Sequence, residues 1–104
     1  MRFTWDERKA ASNLAKHGVD FRDAIRIFDG KTVEWPDERF AYDEERWLAV
    51  RLSENKEIFV AYIEQEEHLR RIISARKASH RERERYWREV GRQDGLGSSG
   101  KDDR

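Results

Sequence analysis

Apolar and polar positions change period several times along the chain. Phe3 and Trp5 alternate with polar neighbours, which predicts a short strand over 2–5. Asp6 then offers an N-cap, and residues 7–17 are rich in Ala, Leu, Lys and Arg. Gly18 stands where a C′ glycine ends a helix. On that helix Ala10, Ala11, Leu14 and Ala15 form the predicted buried stripe. Lys9, Asn13 and Lys16 fall on the other side, with His17 beside them. Asp20 opens a second helix, with Phe21, Ala24, Ile25 and Phe28 facing the core and Asp29-Gly30 ending it.

The middle of the chain reads as strands. Residues 33–35 are a short strand stopped by Pro36, and 37–45 are polar, a predicted loop. Residues 46–52 alternate, with Leu48, Val50 and Leu52 on one face. Residues 58–63 are almost continuously apolar, a central strand, and 69–75 centre on Ile72-Ile73. The links between these strands are short enough for antiparallel hairpins. Ser79 and Glu82 have capping-box spacing at the start of a third helix, which carries Tyr86, Trp87 and Val90 as its apolar stripe. The predicted fold is α+β, with element order β-α-α-β-β-β-β-α and an antiparallel sheet packed with helices. One domain over 1–90 and a flexible tail over 91–104 are expected, the latter from its Gly, Ser, Asp and Lys content.

Charge sharpens this outline. Of 104 residues, 22 are Lys or Arg and 22 are Asp or Glu, so the formal net charge is zero. By segment the balance is +2 over 1–28, −7 over 29–67, +6 over 68–92 and −1 over 93–104. A neutral total therefore hides an acidic middle and a basic last strand and helix, which points to nucleic-acid or charged-protein partners. The chain has no cysteine, which excludes disulfides and thiolate chemistry. No apolar run reaches the roughly 20 residues of a membrane span and no secretory core follows Met1, so a cytoplasmic protein without membrane contact is expected.

The candidate chemistry lies in the basic segment. His17, His68 and His80 lack metal-ligand spacing, and no Gly-rich phosphate loop is present, so neither a metal nor a cofactor is expected. Arg and Lys can neutralise phosphates, and aromatic or guanidinium planes can stack on unpaired bases. The same groups can cleave RNA through attack of the ribose 2′-OH on its own phosphodiester. His17, His80 or Glu82 could serve as base, Arg76 and Lys9 could stabilise charge, and Tyr86 could donate a proton or stack. Lys16, Lys77, Arg81 and Arg85 supply further substrate-binding cations. Each has a plainer reading. Glu82 fits a capping box, Tyr86 a core position, His17 a helix C-terminus, and Arg51 either a surface residue or the floor of a site.

Two motifs carry a family resemblance. Trp5-Asp6-Glu7-x-Lys9, Asn13-Leu14-x-Lys16-His17-Gly18-Val19-x-Phe21, Ala24 and Phe28-Asp29 resemble the opening of BrnT-family toxins. Arg71-Ile72-Ile73-Ser74-Ala75-Arg76-Lys77-Ala78, then Glu82-Arg83-x-x-Tyr86, resembles their closing signature. Lys9, Lys16, His17, Arg76, Glu82 and Tyr86 all fall on motif positions. The resemblance implies a RelE-like fold and a metal-independent RNA endonuclease that inhibits translation. It implies a type II toxin–antitoxin system, with neutralisation by a BrnA-type ribbon-helix-helix antitoxin in a heterotetramer. Operator DNA would be reached only through that antitoxin.

Overall fold

In the computed structural model, residues 1–39, 41 and 43–93 are described. Five strands form one sheet in the order β1-β5-β4-β3-β2. They are β1 (Arg2–Thr4), β2 (Val33–Pro36), β3 (Trp47–Ser53), β4 (Lys56–Glu66) and β5 (Leu69–Lys77). The helices are α1 (Glu7–His17), α2 (Phe21–Ala24), which continues as a 3₁₀ turn over Ile25–Asp29, and α3 (His80–Gln93). The class and the element order agree with the pattern in the sequence. Among the described residues no helix is long and apolar enough to cross a membrane. Residues 94–104, most of the expected tail, lie outside the described residues, and α3 itself runs on past Gly91.

The sheet differs from expectation in one respect. β2 to β5 are antiparallel neighbours, but β1 pairs parallel to β5, with Arg2 opposite Leu69 and Thr4 opposite Arg71. A long crossover lets the first strand join the last one, a connection that local pattern does not encode.

Both faces of the sheet are covered. On the first face Ala10, Phe21, Ala24 and Ile27 pack on Ala49, Val60, Tyr62, Ile72 and Ala75. On the second, Tyr86 and Ala78 pack on Val33, Leu48, Val50, Phe59 and Ala61. This explains why β4 reads as a continuous apolar run: from Ile58 to Ile63 every residue is buried, so both sets of alternating side chains need to be apolar.

α1 is capped as the sequence indicates. The Asp6 carboxylate accepts from the N–H of Arg8 and Lys9, and Gly18 takes a left-handed φ of 73° while donating to Leu14. Its buried stripe is not the predicted one. Leu14 is 45% exposed, and Ala11 and Ala15 are exposed, whereas Asn13 is buried. The Asn13 amide donates to the carbonyls of Ala75 and Val19 at 2.7 and 3.0 Å, and its oxygen accepts from the Ala75 N–H at 3.1 Å. β1 pairs with β5 only as far as Arg71, so beyond that point the β5 edge needs another partner. One side-chain amide supplies it, because it carries the donor and acceptor that a neighbouring strand would present.

Candidate active site

β5 carries the decisive irregularity. Arg70 and Arg76 are six residues apart, and strict alternation would put them on one face. The pairing shifts between Tyr62, opposite Ile72, and Ala61, opposite Ser74. Ile73 is the extra residue, and this bulge reverses the sides of everything after it. Arg70 therefore lies over Phe28 and Tyr62 on the first face, while Arg76 lies over Phe59 on the second.

Arg76 is held on three sides. Its guanidinium sits 3.9 Å from the Phe59 ring centroid. Its Nη1 and Nη2 donate to the two carboxylate oxygens of Glu82 at 2.8 and 3.0 Å, and Nη1 also reaches the Lys77 carbonyl at 3.2 Å. The paired fork fixes orientation as well as charge. Glu82 completes a capping box with the same carboxylate: Oε1 accepts from the Ser79 N–H at 2.8 Å, and Ser79 Oγ accepts from the Glu82 N–H at 3.3 Å. Burial pushes the Glu82 carboxyl up, but the hydrogen bonds from Arg76 and Ser79 together outweigh it and leave it below its ordinary value. Glu82 is thus ionised, with Oε1 accepting from Arg76 and Ser79 and Oε2 from Arg76.

Beside this pair opens a cleft of about 380 Å³, lined by Trp35, Pro36, Leu48, Arg81, Glu82 and Arg85 among others. Arg85 lies 4.2 Å over the Trp35 ring. At its rim Asp37, whose side chain is 1% exposed, holds Arg39 through Nε and Nη2, both at 2.8 Å. Tyr86 is buried under α3, in the same apolar cluster as Phe59, and its ring meets Trp87 edge-on at 4.9 Å. Among the described residues its hydroxyl makes no hydrogen bond.

Arg76, Glu82, Tyr86, Arg81 and Arg85 are therefore brought together on the α3 face. His80 stands exposed in the first turn of α3, 3.5 Å from Glu84. The others are carried by α1, β3 and the end of β5, and Asn13, on the same side of α1 as Lys9 and Lys16, bonds to Ala75 beside Arg76. Lys9, Lys16 and His17 are exposed on α1, whose packing contacts belong to the first face, and none of them bonds to Arg76 or Glu82. Lys77 is exposed at the end of β5, opposite Ile58, which belongs to the first-face core. Arg51 packs its guanidinium against Gly30, so closely that a Cβ there would lie 2.3 Å from it. The sequence pattern alone does not mark Phe59, Trp35 or the Asp37–Arg39 pair as site residues. Trp35 had one available signal, since it alternates with Val33 and so shares that residue's face.

A cationic cleft with a clamped arginine at the end of a mixed sheet suits an enzyme that handles phosphodiesters, and comparison with known proteins agrees. Residues 5–82 match the family described as ribonuclease toxin, BrnT, of type II toxin–antitoxin systems. The chain belongs to that family. It is similar to the Brucella abortus ribonuclease toxin BrnT, solved as a crystal structure at 1.1 Å resolution. The two share 29% identity and a TM-score of 0.56, over 77% of this chain and 99% of that one. No curated protein matches it. The chain is thus a ribonuclease toxin whose system includes an antitoxin partner.

Proposed function

We propose that this toxin is an endoribonuclease that cuts RNA in the cytoplasm without a metal ion, inhibits translation, and is silenced by a BrnA-type ribbon-helix-helix antitoxin. The Arg76–Glu82 pair over Phe59, at the edge of the Arg81–Arg85 cleft, carries this reading. In the reaction the ribose 2′-OH loses its proton and its oxygen attacks the adjacent phosphorus. The bond from phosphorus to the 5′-oxygen breaks, and that oxygen takes up a proton. The products are a 2′,3′-cyclic phosphate and a 5′-hydroxyl. Charge grows on the phosphoryl oxygens, and a preorganised guanidinium stabilises it without having to reorient.

The residues divide the work. Arg76 neutralises the developing charge. Glu82 fixes the plane of Arg76, and a carboxylate held below its ordinary value by the N–H donors of Arg76 and Ser79 is a weak base. His80 is the histidine carried by α3 and takes the proton-transfer role. Tyr86 packs in the apolar cluster that contains Phe59 and anchors α3 to the sheet. Arg81 and Arg85 hold the RNA, while Lys9, Lys16, His17, Lys77 and Arg51 touch flanking phosphates or serve the fold. Among the described residues there is no group of three His, Cys, Asp or Glu side chains placed to hold a metal ion. The antitoxin covers the cleft in a heterotetramer and alone contacts operator DNA.

Incubation of the purified toxin with RNA in EDTA tests the reading. Cleavage leaving a 2′,3′-cyclic phosphate is expected. RNA binding without any cleavage, with or without ribosomes, would overturn it.

A further inference from the structure

We infer that the cleft between β2 and α3 is a subsite for one unpaired nucleobase of RNA, which stacks against the Arg85–Trp35 pair beside the Arg76 phosphate position. The inference uses the ribonuclease reading for its choice of occupant. Its geometry stands apart from that reading.

The shape comes first. At about 380 Å³ the cleft lies in the lower part of the range of small-ligand pockets, roughly 300–1,000 Å³. Its wall is apolar where Trp35, Pro36 and Leu48 meet, and polar where Arg39, Arg81 and Arg85 approach together with Glu38 and Glu82. A flat aromatic heterocycle wants this combination, because it has two apolar faces and a polar edge.

The stacking surface is already assembled. A free arginine on a helix sweeps many rotamers, but the Arg85 guanidinium rests 4.2 Å over the Trp35 ring. Stacking on it therefore loses less conformational entropy than stacking on a mobile side chain. Among the described residues neither Arg81 nor Arg85 has an ion-pair partner, so neither has to leave a carboxylate to meet RNA.

The position links base and phosphate. Glu82 lines the cleft and also grips Arg76. One carboxylate thus sits between the base site and the cation that faces the scissile phosphate, and a nucleotide bound in the cleft is aligned for cutting. An acidic peptide would satisfy Arg81 and Arg85 but would leave the Trp35 wall without a matching flat group.

Hexameric 2′-O-methyl RNA tests this, because it cannot be cut by 2′-OH attack. Base-bearing hexamers should bind the full-length protein about tenfold or more tightly than an abasic hexamer with the same phosphates, the scale of one stacked base. They should also quench tryptophan fluorescence in the wild type but much less in Trp35→Phe. Arg85→Ala, at an exposed position that leaves the fold intact, should erase the preference over the abasic strand. Equal binding of the abasic strand, a preference that survives both substitutions, or stronger competition by poly-glutamate than by bases would each overturn the subsite. A toxin that cuts RNA yet shows no base preference would refute the subsite alone. One that shows the preference and never cuts would refute the nuclease reading alone.

Discussion

Arg70 and Arg76 leave the same strand toward opposite faces, and each meets an aromatic ring and carboxylates. Arg70 is enclosed: its side chain is 17% exposed, between Phe28 at 5.0 Å and Tyr62 at 4.5 Å. Its carboxylates stand back, Glu34 at 3.8 Å and Glu64 at 4.0 Å, because Glu34 is taken up by the hydroxyls of Tyr62 and Thr32. Arg76 has the closer, two-pronged carboxylate but only one ring, and its neighbour Glu82 borders an open cleft. Similar residue types thus make a structural cluster where helices seal them and a candidate reactive one where the sheet meets solvent. Arginine content alone cannot locate a site; access does.

Substitutions can break the comparison. Arg76→Ala should lower RNA cleavage per folded molecule by about 10²–10³-fold, the cost of losing one preorganised charge stabiliser, and should also lower the melting temperature, because Glu82 loses its paired partner. Arg70→Ala should cost stability alone. It should cost about 2–3 kcal/mol of stability, because it strips two ring contacts and leaves partly buried carboxylates unbalanced. Cleavage per folded molecule should stay near wild type. Denaturant titration and initial rates on the same samples separate the two, and equal loss of activity in both variants would end the distinction.

The clusters should also titrate at opposite ends of the pH scale. Glu82 lies below its ordinary value of 4.5 in the folded chain, despite the upward push of burial, because Arg76 and Ser79 bond to its ionised form. Its contribution is therefore present above pH 4.5 and lost as pH falls through the lower folded value. Glu82→Gln should flatten that acid limb. Tyr62 is displaced upward from 10.0, by burial first and then by the hydrogen bond it donates to Glu34. The folded state keeps this proton, so its contribution is full below pH 10 and fades as pH rises further. Tyr62→Phe should flatten the alkaline limb and leave the acid one alone. Melting temperatures across pH 3–11 check both. The smallest effect belongs to Trp87→Phe. It removes the 2.8 Å bond that Trp87 donates to Glu57 on an exposed surface and should change stability by no more than about 0.5 kcal/mol.

The sequence showed local structure well and spatial assembly less well, for definite reasons. Asp6, Gly18, Ser79 and Glu82 announce helix ends because a cap is satisfied within a few residues. Leu14 and Asn13 mislead because hydrophobicity predicts what helices bury against apolar surfaces, while the β5 edge demanded a hydrogen-bonding amide. Arg76, Glu82, Arg81 and Arg85 could be grouped because one strand end and one helix carry them. Lys9, Lys16 and His17 could not be placed, since a helix pattern does not say which layer of the sheet the helix joins. The bulge at Ile73 defeats a count by twos, and so conceals which arginine faces which helix.

The parallel pairing of β1 with β5 sets an order of events during synthesis. The first strand leaves the ribosome early, yet its partner follows more than 60 residues later, as the Asn13–Ala75 bonds do across 62. Contacts so distant along the chain close slowly, because loop entropy is lost before they form. Arg76 and Glu82 belong to the same late part of the chain, so the cleft cannot exist on a nascent toxin whose last helix is still inside the ribosome.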